Sequence, residues 1–214
     1  MGSKHPISSR LTNLARAEFE LSSNLKEKLV GLYLGDLAAQ KRGKISNNVR
    51  LRFAQGITNE AYLLHLFDLF KGYCVNSPKR YDFKPDKRTG NIYTQISFTT
   101  YSLPCFNELY QLYYLNGKKI VPKNITELLT PAGLAYWAMD DGAKLGSGFT
   151  LCTDSYSLTD VELLIKALND NFNLKCTIHK SKNNYRIYIL SKSVDKFKDL
   201  VSPYFHDSMK YKLK

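Results

Sequence analysis

The sequence predicts an α+β fold made of two related halves, and three features carry that prediction. Two apolar helical stretches, residues 29–36 and 134–141, each stop abruptly at an aspartate, Asp36 and Asp141, about half a chain apart. Short segments with apolar–polar alternation follow each stretch and read as antiparallel strands. The order of helix, strand and helix then recurs in the second half, which implies an internal duplication. The expected halves are residues 1–125, with an N-terminal extension over about 1–23, and residues 126–214.

The elements follow in order. Residues 1–21 read as a polar lead-in with a possible short helix. Asn24 can cap the first motif helix, with Glu27 three residues on. Gly31 and Gly35 lie one turn apart on that helix, each costing about 1 kcal/mol relative to alanine, which suggests that another backbone approaches there. Val49 to Gln55 alternates, with Val49, Leu51 and Phe53 inward and Arg50 and Arg52 outward. Asn59 to Tyr73 has helical spacing, and a basic loop with Lys79, Arg80, Lys84, Lys87 and Arg88 follows. Ile92 to Phe98 reads as a strand with Ile92, Ile96 and Phe98 inward and Tyr93, Gln95 and Ser97 outward. Leu103 to Leu115 reads as a helix.

In the second half, Thr130 is a good N-cap with Pro131 at the first helical position. Phe149 to Thr153 is a strand and Leu158 to Phe172 an amphipathic helix. Residues 174–179 and 185–190 form a hairpin around Lys180-Ser181-Lys182-Asn183-Asn184, and Val194 to Tyr204 closes as a helix.

The composition is that of a folded chain: 214 residues, 43% hydrophobic. No apolar run approaches the ~20 residues that span a bilayer, so no membrane partner is expected. Lysine and arginine number 31 against 19 acids, a net charge of +12, and there are 15 tyrosines. That balance points to a polyanionic partner, the alternative being a basic protein with no specific nucleic-acid role. Cys74, Cys105, Cys152 and Cys176 are widely spaced without a zinc pattern and read as free thiols. His5, His65, His179 and His206 match no metal motif and read as surface or packing residues.

An apolar helix is driven to burial, and a carboxylate at its end is not unless a cation compensates it. The helix dipole also disfavours an acid at a C-terminus. Two such helices side by side bring two carboxylates together, which is stable with a metal ion between them or with a proton retained. Two hard oxygen ligands and no soft ones suit Mg²⁺, which keeps waters and phosphate oxygens as its other ligands.

The two stretches, Leu29-Val30-Gly31-Leu32-Tyr33-Leu34-Gly35-Asp36 and Leu134-Ala135-Tyr136-Trp137-Ala138-Met139-Asp140-Asp141, resemble the signature helices of LAGLIDADG homing endonucleases. Lys118-Lys119-Ile120-Val121-Pro122, Thr130-Pro131 and Met209-Lys210-Tyr211-Lys212-Leu213 are similar to flanking segments of the single-chain, two-motif type, and the likeness runs from about Lys26 onward. The resemblance implies two αββαββα halves packed through the motif helices, with antiparallel sheets forming a DNA-binding saddle. It implies a monomeric, intron-encoded enzyme that cuts each strand of a specific duplex across the minor groove and leaves short 3′ overhangs. Mg²⁺ would be the cofactor, with Mn²⁺ substituting and Ca²⁺ supporting binding without cleavage. An organelle, the mitochondrion ahead of the chloroplast, would be the setting.

Residue by residue, the resemblance places Asp36 and Asp141 on the metal, with the backbone carbonyls of Gly35 and Asp140 assisting. Lys119 and Lys212 would stabilise charge beside each centre. Gln55 would stand over the first centre and Asp154 at the equivalent position of the second. Arg50, Arg52, Tyr93, Gln95 and Arg186 are candidates for base contact, the alternative being a solvated strand face. Lys79, Arg80, Lys87, Arg88, Lys180 and Lys182 are candidates for phosphate contact. Leu37 and Tyr136 depart from the motif's small residues, Tyr136 at the helix interface. An RNA maturase, with intron RNA as partner, and a non-cleaving DNA-binding protein on the same scaffold are the competing readings.

Overall fold

The computed structural model describes residues 11–41, 47–181 and 184–214. His5 and Lys182 lie outside them. Helices α1 (Asn13–Ala17) and α2 (Ser23–Leu34) precede strands β1 (Ala38–Lys41) and β2 (Val49–Gly56). Helix α3 (Glu60–Phe70), strands β3 (Lys79–Asp82) and β4 (Thr94–Thr99), and helix α4 (Asn107–Tyr113) complete the first unit. A hairpin, β5 (Tyr114–Leu115) and β6 (Lys118–Lys119), and helix α5 (Ile125–Leu128) lead to α6 (Pro131–Asp141). Then come β7 (Gly142–Leu145), β8 (Gly148–Leu151), α7 (Leu158–Phe172), β9 (Cys176–Ser181), β10 (Asn184–Ile189) and α8 (Ser191–Val201). A 3-10 helix, Asp207–Leu213, ends the chain.

From α2 onward each half reads αββαββα. The two four-stranded sheets have the same order, β1-β2-β4-β3 and β7-β8-β10-β9, with all pairs antiparallel. The duplication expected from the motifs is therefore built into the topology. One contiguous core contains Leu29, Leu32, Trp137 and Met139 of the motif helices together with Phe53, Phe98, Phe149 and Ile187 of the sheets.

The motif helices α2 and α6 pack on each other. A Cβ added at Gly31 would sit 1.8 Å from the Gly133 carbonyl oxygen, so the backbones nearly touch there. Only glycine allows that approach, which accounts for a residue that otherwise weakens a helix. Tyr136 does not hold the helices apart at this crossing. It is buried and its hydroxyl lies 2.8 Å from His65 Nε2 on α3.

Several boundaries differ from the sequence expectation for identifiable reasons. Ser22, not Asn24, caps α2, accepting from Leu25 N, and Glu27 instead accepts from the Thr130 hydroxyl at 3.2 Å. Thr130 does cap α6, with Pro131 first in the helix. Lys79 and Arg80 lie on an edge strand, not in a loop. Ile92 is exposed (61%), not inward, because residues 86–91 close a turn on Asp86 and β4 begins only at Thr94. Leu103 to Leu115 is not one helix. A 3-10 turn opens it, and Asn116 and Gly117, both at positive φ, turn its end into the β5–β6 hairpin. Asn-Gly is the favoured dipeptide for such a turn. The four thiols are free and half-buried. Among the described residues, no helix is long and apolar enough to cross a membrane.

Candidate active site and nucleic-acid interface

Helix α2 ends at Leu34, so Asp36 stands just beyond it and is exposed. Its carboxylate accepts from Gln55 Nε2 at 2.9 Å. Strand β2 explains that contact: Val49, Leu51, Phe53 and Gln55 share the inward face at period two, and Gln55 is the last of them. Asn59, not anticipated from the sequence, donates to Gln55 Oε1 at 3.2 Å and fixes the amide orientation.

Asp141 is the final residue of α6 and is half-buried. Burial first, then the nearby Asp36, pushes its carboxyl up to about 7, while Lys119 and Lys212 pull the other way. Among the described residues no side chain hydrogen-bonds this carboxylate. The first-half arrangement is not repeated, because the equivalence of Gln55 with Asp154 is off by one. Ala38 and Ala143, each two residues beyond its acid, pair with Arg52 and Thr150, so Gln55 corresponds to Thr153. Thr153 is buried and donates to the Tyr185 carbonyl at 2.5 Å. Asp154, one position on, lies in the turn that follows β8. There it makes a two-pronged pair with Arg186, at 2.7 and 2.5 Å.

Both lysines converge on the site. Lys119, delivered by the Asn116-Gly117 hairpin, donates to the Gly35 carbonyl at 2.5 Å. Lys212, from the C-terminal 3-10 helix, donates to the Met139 and Asp140 carbonyls at 2.5 and 3.1 Å. Burial lowers both ammonium groups from their ordinary range, and the three nearby aspartates oppose that shift. The lysines thus satisfy carbonyls at the ends of both helices, including those of Gly35 and Asp140.

The Asp140 side chain also faces inward. One oxygen accepts from Asp36 N at 3.1 Å and the other from the Tyr62 hydroxyl at 3.0 Å. Burial and then Asp36 raise its carboxyl well above the usual range. Two adjacent aspartates signalled a second acid, but nothing in the sequence marked Tyr62 as its partner.

Two flanking carboxylates, open to phosphate and water, suit a hard divalent cation. The burial-driven rise at Asp141 marks negative charge that the protein alone leaves undercompensated. Among the described residues, no three His, Cys, Asp or Glu side chains gather into a group that could hold a metal ion, so any metal here would rest on the two acids and backbone carbonyls.

The candidate nucleic-acid residues occupy the sheets and their loops. Arg50 donates to Gln40 at 2.9 Å, and Arg52 donates to Gln95 at 3.1 Å across β2 and β4. Arg80 is forked onto Glu60 at 2.9 and 2.7 Å. Lys79, Lys87, Arg88, Tyr93 and Lys180 are exposed. Arg80 and Arg186 therefore already have carboxylate partners, whereas the exposed lysines do not need to give one up. Tyr81 and Phe83, in edge-to-face contact, add exposed aromatic surface to the β3–β4 hairpin.

The model for the LAGLIDADG DNA endonuclease family matches residues 26–197. The cytochrome b mRNA maturase bI2 of Debaryomyces hansenii is 38% identical over 90% of this chain and 74% of its own length. The probable intron-encoded endonuclease 1 of Wickerhamomyces canadensis is 35% identical over 90% of this chain and 85% of its own length. Among solved structures, the homing endonuclease I-WcaI bound to its DNA recognition sequence has a TM-score of 0.86 at 34% identity, covering 92% of this chain and 88% of that one. Duplicated topology, paired motif helices and sequence likeness agree: the chain belongs to the LAGLIDADG DNA endonuclease family.

Proposed function

We propose that the chain is a site-specific homing endonuclease that hydrolyses one phosphodiester on each strand of a duplex, across the minor groove, to leave short 3′ overhangs. The carrying observation is the convergence of Asp36 and Asp141 from two half-chains, with Lys119 and Lys212 anchored to the carbonyls beneath them. The approximate twofold repeat suits the approximate dyad of a DNA duplex. The family relatives named as intron-encoded or homing endonucleases support the reading.

Asp36, Asp141 and the carbonyl oxygens of Gly35 and Asp140 would hold divalent metal, for which we propose Mg²⁺, with Mn²⁺ substituting and Ca²⁺ supporting binding alone. Bound metal supplies Lewis acidity at the scissile phosphate and lowers the pKa of water in its shell. Gln55 keeps the Asp36 carboxylate aimed. The lysine ammoniums would release their carbonyls as metal and phosphate enter, and face charge developing on the phosphate. Arg50, Arg52, Gln95 and Tyr93 would read base edges. Lys79, Lys87, Arg88 and Lys180 would hold phosphates, with Arg80 and Arg186 joining by exchanging a carboxylate for a phosphate or base.

The maturase reading is favoured by two relatives named as cytochrome b mRNA maturases, those of D. hansenii and Saccharomyces cerevisiae. Names tied to cytochrome b mRNA and to introns support an organellar setting, which we place in the mitochondrion. The test is selection from randomised duplex DNA, binding in Ca²⁺ and cutting in Mg²⁺, with D36N and D141N alongside. A long site cut on both strands only by the parent is expected. Binding to intron RNA with no selected duplex would transfer the assignment to the maturase.

A further inference from the structure

The two motif helices end differently, and the difference leaves one backbone donor without a helical partner. In α6 the helix continues through Asp141. In α2 it stops at Leu34, and the Leu32 carbonyl, four residues before Asp36, already accepts from Gly35 N and Leu37 N. Asp36 N instead donates to the Asp140 carboxyl of the other half, at 3.1 Å. Tyr62, fully buried on α3, fixes the second oxygen of that carboxyl at 3.0 Å. The carboxyl lies where any side chain at position 35 would have to go. A Cβ on Gly35 would meet both Asp140 Cβ and Oδ2 at 2.6 Å. The glycine in the first motif and the aspartate in the second are thus complementary halves of one contact.

We propose that the Asp140 side chain is a positioning group for Asp36: it clamps the Asp36 peptide from the opposite half through a bridge locked by Tyr62. This rests on the endonuclease reading of Asp36 and adds a role for the Asp140 side chain separate from its carbonyl. The clamp has a further effect. The aim of the first-half acid depends on how the second half is seated, so this hydrogen bond couples the two centres. A displacement of about 1 Å at a reacting centre can lower a rate about 100-fold.

The experiment compares D140A, D140N and Y62F with the parent on end-labelled duplex target. Each strand's single-turnover rate is measured in Mg²⁺, duplex affinity in Ca²⁺, and Asp36 amide hydrogen exchange by NMR. D140A is expected to slow cleavage about 10- to 100-fold, unequally on the two strands, with affinity held. It should also speed exchange of the Asp36 amide. D140N should restore most of both, because its carbonyl oxygen accepts from Asp36 N while its amide turns to the Tyr62 oxygen. Y62F should fall between the parent and D140A. Parent-like rates and exchange in D140A would overturn the clamp, as would D140N failing as fully as D140A. If the parent cuts no duplex, the endonuclease reading falls, and the exchange pattern still decides the clamp.

Discussion

Asp36 and Asp141 occupy the same place in two copies of one motif, yet the first is held by hydrogen bonds and the second by charge. Asp36 is exposed, with Gln55 on its carboxylate and Asp140 on its peptide. Asp141 is half-buried, without a side-chain hydrogen bond, and balanced by Lys119 and Lys212. A buried carboxylate facing another acid, as Asp141 does, holds its proton above the usual range, and a cation favours its release. Duplication fixed the position of the acids. Single neighbours that differ between the halves, Gln55 against Thr153 and Gly35 against Asp140, set how each is prepared.

The sharpest way to break this contrast is to remove the lysines. K119M and K212M should each lower the single-turnover cleavage rate about 10²- to 10³-fold, by loss of a cation aimed at developing charge. Equal affinity in Ca²⁺ would separate this from lost DNA binding. Q55A should cost about tenfold, because it frees an acid without removing it. T153A, at the matching position, should leave the cleavage rate within about threefold while lowering stability by about 1–2 kcal/mol through the orphaned Tyr185 carbonyl. A drop in rate with T153A to match Q55A would show that the halves are prepared alike after all.

Thermal unfolding sharpens the comparison further. G31A forces a methyl against the Gly133 carbonyl and should destabilise by about 1–3 kcal/mol, despite the helix propensity it gains. G133A meets its nearest atom, Glu27 O, only at 3.1 Å and should cost less.

A last contrast concerns pH. The folded state holds the Asp141 proton up to about 7, whereas an ordinary aspartate loses it near 3.8. Folded protein therefore binds more protons than unfolded protein across that window, and this group makes metal-free stability fall as pH rises through it. D141N removes the penalty, which a shift from 3.8 to about 7 puts at up to about 4 kcal/mol, and should raise Tm at pH 8 with little change at pH 4. Scans of both proteins at the two pH values, with chelator present, check it.

Much of this was legible in the sequence. The two acids, the close backbone approach at Gly31 and the basic strand faces follow from local pattern, whereas Gly133, the partner in that approach, was not marked by it. Leu158–Phe172 matches its helix to the residue, because Ser157 caps it with a complete capping box. Other features needed the fold. Apolar spacing over Leu103 to Leu115 outweighed the Asn116-Gly117 turn, and so concealed the hairpin that delivers Lys119. The matching of Gln55 to Thr153 depends on strand register, where one residue reverses the face. The bridge from Tyr62 to Asp140 joins residues of different halves, and no local periodicity records it.

The contact of Gly31 with Gly133 also bears on what the protein tolerates in a target. Backbones this close resist sliding or swivelling of the two sheets about the crossing. In a DNA complex of the proposed kind, each extra central base pair would carry the far half-site about 3.4 Å along the duplex and about 35° around it. A protein with a loose hinge could follow that change of phase, and one locked glycine to glycine could not. Target variants should therefore divide by kind: base substitutions spread along the site would erode recognition gradually, whereas a single central insertion or deletion would put one half of the protein out of step with its groove.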